Sequence, residues 1–205
     1  MKPLIPDMMD FQFGTFQSNK ERVVARKIAV VVGSIRKESI NRKLAKALIR
    51  LAPKDLECEL VRIDDLPVFN QDHDQDPPQQ VVRVKAQIAA ANAMLFVTPE
   101  HNRSLPTALK NVLDWVSRPY GRNLWAGKPA GVVGASVGAV GTAVAQAHLR
   151  AVLGYLDVPT LGQPEVYVQF TKDLIDDDGN VSNDATRKFL QSFVDRYAAW
   201  IAKLG

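Results

Sequence analysis

Five short apolar runs, each followed by a segment of helical period, constrain this chain more than any other feature. The runs are Lys27–Gly33 (KIAVVVG), Glu57–Ile63 (ECELVRI), Ala93–Pro99 (AMLFVTP), Lys128–Ser136 (KPAGVVGAS) and 158–168 (VPTLGQPEVYV). The β-branched, nearly continuous character of most of them suits strands buried on both faces. Between them the apolar residues recur every three to four positions. Leu44, Leu48 and Leu51 do so within Asn41–Ala52, and Val81, Val84, Ile88 and Ala91 within a helix expected to start at QDPPQQ, with Pro77 and Pro78 in its first turn. Leu105, Leu109, Val112, Leu113 and Val116 mark a third helix, and a fourth runs from Gly141 to Leu156, apolar on most faces. The fifth, Asp184–Leu204, is expected to bury Phe189, Leu190, Phe193, Tyr197, Trp200 and Ile201. Gly162 and Pro164 are expected to interrupt the last strand.

Strands alternating with helices close into a parallel sheet covered on both faces, because each crossover helix must pack back onto the sheet. Five such units fit an α/β doubly wound sheet of order 2-1-3-4-5. Ligands of such sheets sit beyond the carboxyl ends of the strands, where the chain reverses direction between the first and third strands. In this sequence those ends are the loops at Ser34, Pro99 and Ser136.

The loop GSIRKESIN (Gly33–Asn41) follows neither the dinucleotide nor the Walker pattern of glycines. The hydroxyls of Ser34 and Ser39, the Asn41 amide, Arg36 and the open N–H groups of a helix start can converge on one anion. An ordinary helix cap at Ser39 explains the same residues equally well. In the second loop, Pro99 stiffens the exit, and the N–H groups of Glu100, His101 and Asn102 can turn into the cleft. The third, GASVGAVGT (Gly134–Thr142), is small throughout. Small residues serve close approach to a ligand or tight helix–sheet packing, and both readings stand at this point.

Composition narrows the function classes. A chain of 205 residues, 46% hydrophobic and 23% charged, suits one soluble globular core. No apolar run approaches the roughly 20 residues of a membrane span, and no compact signal core opens the chain. Cys58 is the single cysteine, so no internal disulfide forms; a cytoplasmic protein with a buried, inert thiol is expected. The net charge of +4 comes without a basic run or an aromatic-studded basic strand, so nucleic acid is not expected as a partner. His73, His101 and His148 fall in unrelated elements, and no metal cluster is visible. Residues 1–26, with three methionines and three phenylalanines in no clear period, form a separate arm expected to be flexible or to clasp a partner; residues 27–205 form the domain.

Two long motifs carry a resemblance. Gly33, Ser34, Arg36, Ser39 and Asn41 match G-S-x-R-x-x-S-x-N. Pro99, Glu100, Asn102, Ser104, Pro106, Leu109, Lys110, Asn111, Asp114 and Trp115 match most of P-E-Y-N-x-S-x-P-G-x-L-K-N-x-x-D-W. The chain thereby resembles the NAD(P)H-dependent FMN reductase family, in its bacterial quinone and chromate reductase branch, over roughly Lys27 to Val168. His101 replaces the usual Tyr and Thr107 the usual Gly; the first is expected to alter the stacking surface, the second to crowd the helix start.

The resemblance implies a flavodoxin-like fold with one FMN per subunit. Ser34, Arg36, Ser39, Ile40 and Asn41 then hold the single phosphate; the backbone of Pro99, Glu100, His101 and Asn102 lines the ring edge; Ser136 to Gly138 approaches its pyrimidine side. It implies hydride transfer from NADPH or NADH through the flavin to quinones, with chromate, azo dyes or other oxidants as further acceptors and no catalytic side chain. Arg103, Arg118 and Arg122 are candidates for the 2′-phosphate of NADPH, with ordinary ion pairs as the alternative. A homodimer or homotetramer is implied, burying the fourth helix and the Ala108/Asn111/Trp115 face. The rival class is a flavodoxin-type electron carrier with no NAD(P)H activity of its own, against which the basic charge speaks. A phosphoacceptor domain would need acids at the strand ends that Gly33-Ser34 and Thr98-Pro99 occupy.

Overall fold

The computed structural model describes residues 25–204. The proposed arm lies almost wholly outside the described residues. Arg26, placed in the arm by the sequence, instead opens the first strand, its N–H donating to the Asp55 carbonyl at 2.7 Å.

Five strands, β1 (Arg26–Val32), β2 (Leu56–Val61), β3 (Ala93–Val97), β4 (Ala130–Ser136) and β5 (Val166–Gln169), form one sheet in the order β2-β1-β3-β4-β5, every pair parallel. Five helices cover it: α1 (Ile40–Leu51), α2 (Gln79–Ala90), α3 (Thr107–Val116), α4 (Ala143–Tyr155) and α5 (Asp184–Leu204). This is the doubly wound α/β sheet expected from the alternation, and the flavodoxin-like fold that the resemblance implies.

Because successive strand residues face opposite ways, β1 feeds two cores. Ile28, Val30 and Val32 pack with α1 and α5, whereas Ala29 and Val31 pack with α2, α3 and α4. Of the three strands that end at the cleft, β1 and β3 finish level, and β4 runs on past Val133 to Ser136. Val32 pairs with Val97 and Val97 with Val133, and the ladder continues one step further through Gly33 N–H to the Val97 carbonyl and Thr98 N–H to the Val133 carbonyl, both 2.9 Å. Three loops therefore leave the sheet side by side.

Several expectations need correction. Pro77 and Pro78 precede α2 instead of sitting in its first turn, and Pro78 takes the cap position. The fifth strand is confined to four residues: upstream of Pro164 only a single bridge, Ala130 with Thr160, joins the sheet. Phe189 is 39% exposed, since it lies at the edge of the α5 stripe that Phe193, Tyr197 and Ile201 bury. On α4 the buried residues are Ala145, Gln146, Leu149 and Leu153, while Ala147, Ala151 and Tyr155 face outward. Trp115 is already covered within the chain: its ring meets Phe69 edge-on at 5.1 Å, and its N–H donates to the Pro67 carbonyl at 2.8 Å. Asn111 fastens the same loop, accepting from Phe69 N–H at 2.7 Å and donating to the Pro67 carbonyl at 2.8 Å. Asn111 and Trp115 thus hold the Pro67–Phe69 loop against α3.

Cys58 lies on the edge strand β2, half-buried, and burial pushes its thiol up to about 11. At pH 8 little of it is thiolate, the reactive form. Alkylation by iodoacetamide at that pH is expected to run about a hundredfold slower than for an exposed cysteine of ordinary pKa. A rate equal to that of free cysteine would contradict the burial.

Candidate functional site

A cleft of about 170 Å³ opens where the three loops meet. Its walls hold Ser34, Arg36, Ser39, Ile40 and Asn41 from the first loop, Pro99, Glu100 and His101 from the second, and Ser136 from the third, with Ala135 and Val137 alongside. Nine of the eleven residues chosen from sequence converge here; Asn102 and Gly138 stand outside the lining. Hollows of about 270 and 520 Å³ lie beside Leu60 and between β2 and α2, but neither joins all three loops.

The first loop is built to leave donors open. Ser39 caps α1, its hydroxyl oxygen accepting from Arg42 N–H at 3.2 Å while its own proton stays available. Both earlier readings of Ser39 are therefore compatible. No backbone N–H from Ser34 to Ser39 has a backbone partner among the described residues, and the first turn of α1 leaves further donors without intrahelical partners. Ser39 and Asn41 are themselves buried, so these donors line a protected end of the cleft. Arg36 is exposed.

Asn41 does a different job from the one its amide suggested. Its Nδ2 donates to the Ala135 carbonyl and its Oδ1 accepts from Ala135 N–H, both at 2.9 Å and both buried. The side chain ties α1 to the end of β4 and fixes the distance between the first and third loops.

The second loop is a tight turn. His101 and Ser104 exchange backbone hydrogen bonds of 3.1 and 2.9 Å, and Asn102 and Arg103 between them take φ values of 49° and 62°. Two successive left-handed residues make a primed turn, which Asn tolerates and Arg adopts at some cost. The His101 N–H is consumed by this turn and does not reach into the cleft as expected. The Thr98 hydroxyl donates to the Pro99 carbonyl at 2.8 Å and shapes the exit before it. Ser104 Oγ and His148 Nδ1 lie 3.1 Å apart, joining the turn to α4.

Sequence reasoning missed the Glu100 side chain. One carboxylate oxygen accepts from the N–H groups of Val144 and Ala145 at 3.1 Å each, and the other from Arg103 at 2.8 Å. Burial alone would raise this carboxyl, but the Ala145 N–H, Arg103 and the Val144 N–H outweigh it and hold it below the usual value. The partners lie 44 and 45 residues downstream, beyond the reach of local periodicity.

In the third loop packing accounts for two glycines. A Cβ on Gly134 would collide with the Thr98 carbonyl and the Thr142 hydroxyl. Gly141, at φ +59°, would meet the Tyr167 backbone at 2.7 Å. Gly138 has only Ser136 Oγ, 3.8 Å away, and is the glycine free for another purpose. Ser136 Oγ donates to the Gly138 carbonyl at 2.9 Å. Thr107 is exposed at the start of α3. The close approach falls at Gly33, where a Cβ would stand 3.0 Å from Pro106.

Of the three arginines, Arg118 is committed to Asp74 through contacts of 3.0 and 2.7 Å, and Arg103 to Glu100. The ion-pair alternative accounts for both. Among the described residues no His/Cys/Asp/Glu group could hold a metal, and no helix is long and apolar enough to cross a membrane.

Three comparisons bear on this cleft. Residues 26–173 match the model of the NADPH-dependent FMN reductase family. A 2-hydroxy-1,4-benzoquinone reductase of a Burkholderia species is 52% identical over 178 residues, covering 87% of this chain and 97% of the relative. A quinone reductase of Pseudomonas putida is 50% identical over 175 residues, covering 85% and 94%. In structure, the flavoenzyme NAD(P)H:(acceptor) oxidoreductase FerB of Paracoccus denitrificans superposes with a TM-score of 0.85 at 46% identity, covering 88% of this chain and all of that one. With its family match over residues 26–173 and a relative 52% identical across 87% of its length, the chain belongs to the NADPH-dependent FMN reductase family.

Proposed function

We propose that the chain binds FMN in the three-loop cleft and uses NADPH or NADH to reduce quinones. The observation that carries this reading is the run of open N–H groups from Ser34 to Ser39, with the Ser39 hydroxyl and Arg36 beside it. That donor set suits one terminal phosphate: hydroxyls and a helix start supply charge-assisted bonds, and the dipole of α1 adds its positive end. When bound, the isoalloxazine supplies the electron chemistry, accepting a hydride from reduced nicotinamide and passing two electrons to a quinone.

The residues of this chain bind and orient. Arg36, Ser34 and Ser39 hold the phosphate, and the N–H groups near Ile40 and Asn41 complete its shell. Asn41 spaces α1 from β4, so the phosphate end and the ring end are set by one rigid frame. Pro99 and the Glu100 N–H line the ring edge, where a fixed donor favours negative charge. The exposed His101 side chain borders the face on which a second substrate stacks. Backbone groups held by the sheet are preorganised, so little is lost in ordering them at reaction. Neither a nucleophile nor a metal is needed. Acceptor identity follows from the quinone reductases among the relatives, and a homodimer or homotetramer remains part of the proposal.

Anaerobic mixing of the FMN-loaded protein with NADPH or NADH tests the reading against the electron-carrier alternative. The visible flavin absorbance is expected to disappear rapidly and to return on adding a benzoquinone. A protein that stays yellow in excess of both nucleotides is a carrier.

A further inference from the structure

Helix α1 starts in the wall of this cleft, α4 starts against the Glu100 side chain of its second loop, and the two are capped differently. Helix α1 is capped locally by Ser39. Helix α4 has no cap of its own: the Thr142 hydroxyl, at a residue of φ 75°, accepts from the Gln146 side chain at 3.0 Å and from no N–H of the first turn, which contains no acidic residue. The missing acceptor comes instead from Glu100, whose carboxylate is 9% exposed and reaches from the second loop to the N–H groups of Val144 and Ala145. Its other oxygen is held by Arg103, inside the same primed turn that His101 and Ser104 close. The second loop thus reaches α4 twice, through Glu100 and through the Ser104–His148 contact.

We infer that Glu100 is a positioning residue: its carboxylate serves as an internal anion at the start of α4, locking the second loop to the third and fixing the width of the cleft between them. This inference rests on the FMN reading and assigns the side chain a role apart from that of the Glu100 backbone. The start of α4 is occupied by this carboxylate, whereas the start of α1 lines the cleft and is the place for a phosphate. Loop and helix are separate in sequence, so without the carboxylate each is free to shift. A displacement of the order of an ångström at a ring edge is enough to weaken a stacked, planar ligand.

Glu100→Ala and Glu100→Gln, compared with the parent, provide the test. In flavin-free protein, hydrogen exchange at Val144 and Ala145 is expected to accelerate by about tenfold in Glu100→Ala. Glu100→Gln keeps an acceptor for α4 but not the charge facing Arg103, and is expected to fall between the two. Affinity for FMN and for riboflavin is expected to drop by a similar factor, about tenfold, because the ring wall and not the phosphate site has moved. Added acetate, a free carboxylate, is expected to restore part of the protection and affinity in Glu100→Ala and to leave the parent unchanged. Parent-like exchange and affinity in Glu100→Ala overturn the inference. So does a loss that acetate leaves untouched and that Glu100→Gln shares in full. Should the parent bind neither flavin, the FMN reading falls, while exchange with and without acetate still decides what Glu100 does.

Discussion

Replacing Arg36 and Ser39 together by alanine is expected to weaken FMN binding by roughly a hundred- to a thousandfold and to leave riboflavin binding nearly unchanged. Hydrogen bonds to a charged group contribute about 1.5–3 kcal/mol each, and two of them amount to about 3–4 kcal/mol once partial solvent compensation is counted. The contrast between the two flavins is the informative part, because riboflavin has the ring and ribityl chain but no phosphate. Ser39 also caps α1, so its loss costs about 1 kcal/mol of stability by itself. Thermal melting of the double variant without flavin measures that part separately. Titration by flavin fluorescence measures the rest. Equal losses for both flavins, or none for FMN, would place the phosphate elsewhere.

Gly134→Ala is expected to destabilise the protein by about 2–3 kcal/mol, which is typical of forcing an extra methyl into a packed core. The new Cβ would run into the Thr98 carbonyl and the Thr142 hydroxyl. Thr98 and Thr142 are both fully buried, and the first obstacle is backbone, so neither can swing aside. Gly138→Ala is the control, since its nearest neighbour is 3.8 Å away; a change within about 0.5 kcal/mol is expected there. Urea denaturation of the two variants gives both values. A Gly134→Ala midpoint equal to the parent's would mean that β4 can slide and that its contact with Thr98 and Thr142 is not tight.

The parts of this molecule that were legible in the sequence are those written by local period. β-branched runs marked the strands, leucine spacing marked α1 and α3, and the polar residues after Val32 marked the first loop. The resemblance then supplied the expectation about phosphate, and the cleft brings together most of the residues it named. What stayed hidden depends on partners far apart in the chain. Asn41 looked like a ligand because its amide is polar; only the fold shows both ends of it spent on Ala135, 94 positions away. The position of Glu100 in the second loop points to its backbone, whereas its carboxylate caps a helix that periodicity cannot associate with it. His101 illustrates a third limit. Its N–H was expected to be open, but a turn made by Asn102 and Arg103 in left-handed conformations uses it, and Arg is a residue from which such a turn is not foreseen. The proline pair before α2 and the four-residue β5 are boundary shifts, produced where proline cannot donate to a helix or a ladder.

The amide of Asn41 has a bearing on how such an enzyme can change. It fastens main-chain atoms, so the spacing of the cleft does not depend on which side chains stand at its mouth. Val137, 76% exposed in the wall of the cleft, is free to vary without disturbing that frame. New acceptor preferences are thus open to evolution, or to an engineer, by exchanging a few rim residues while the frame stays intact.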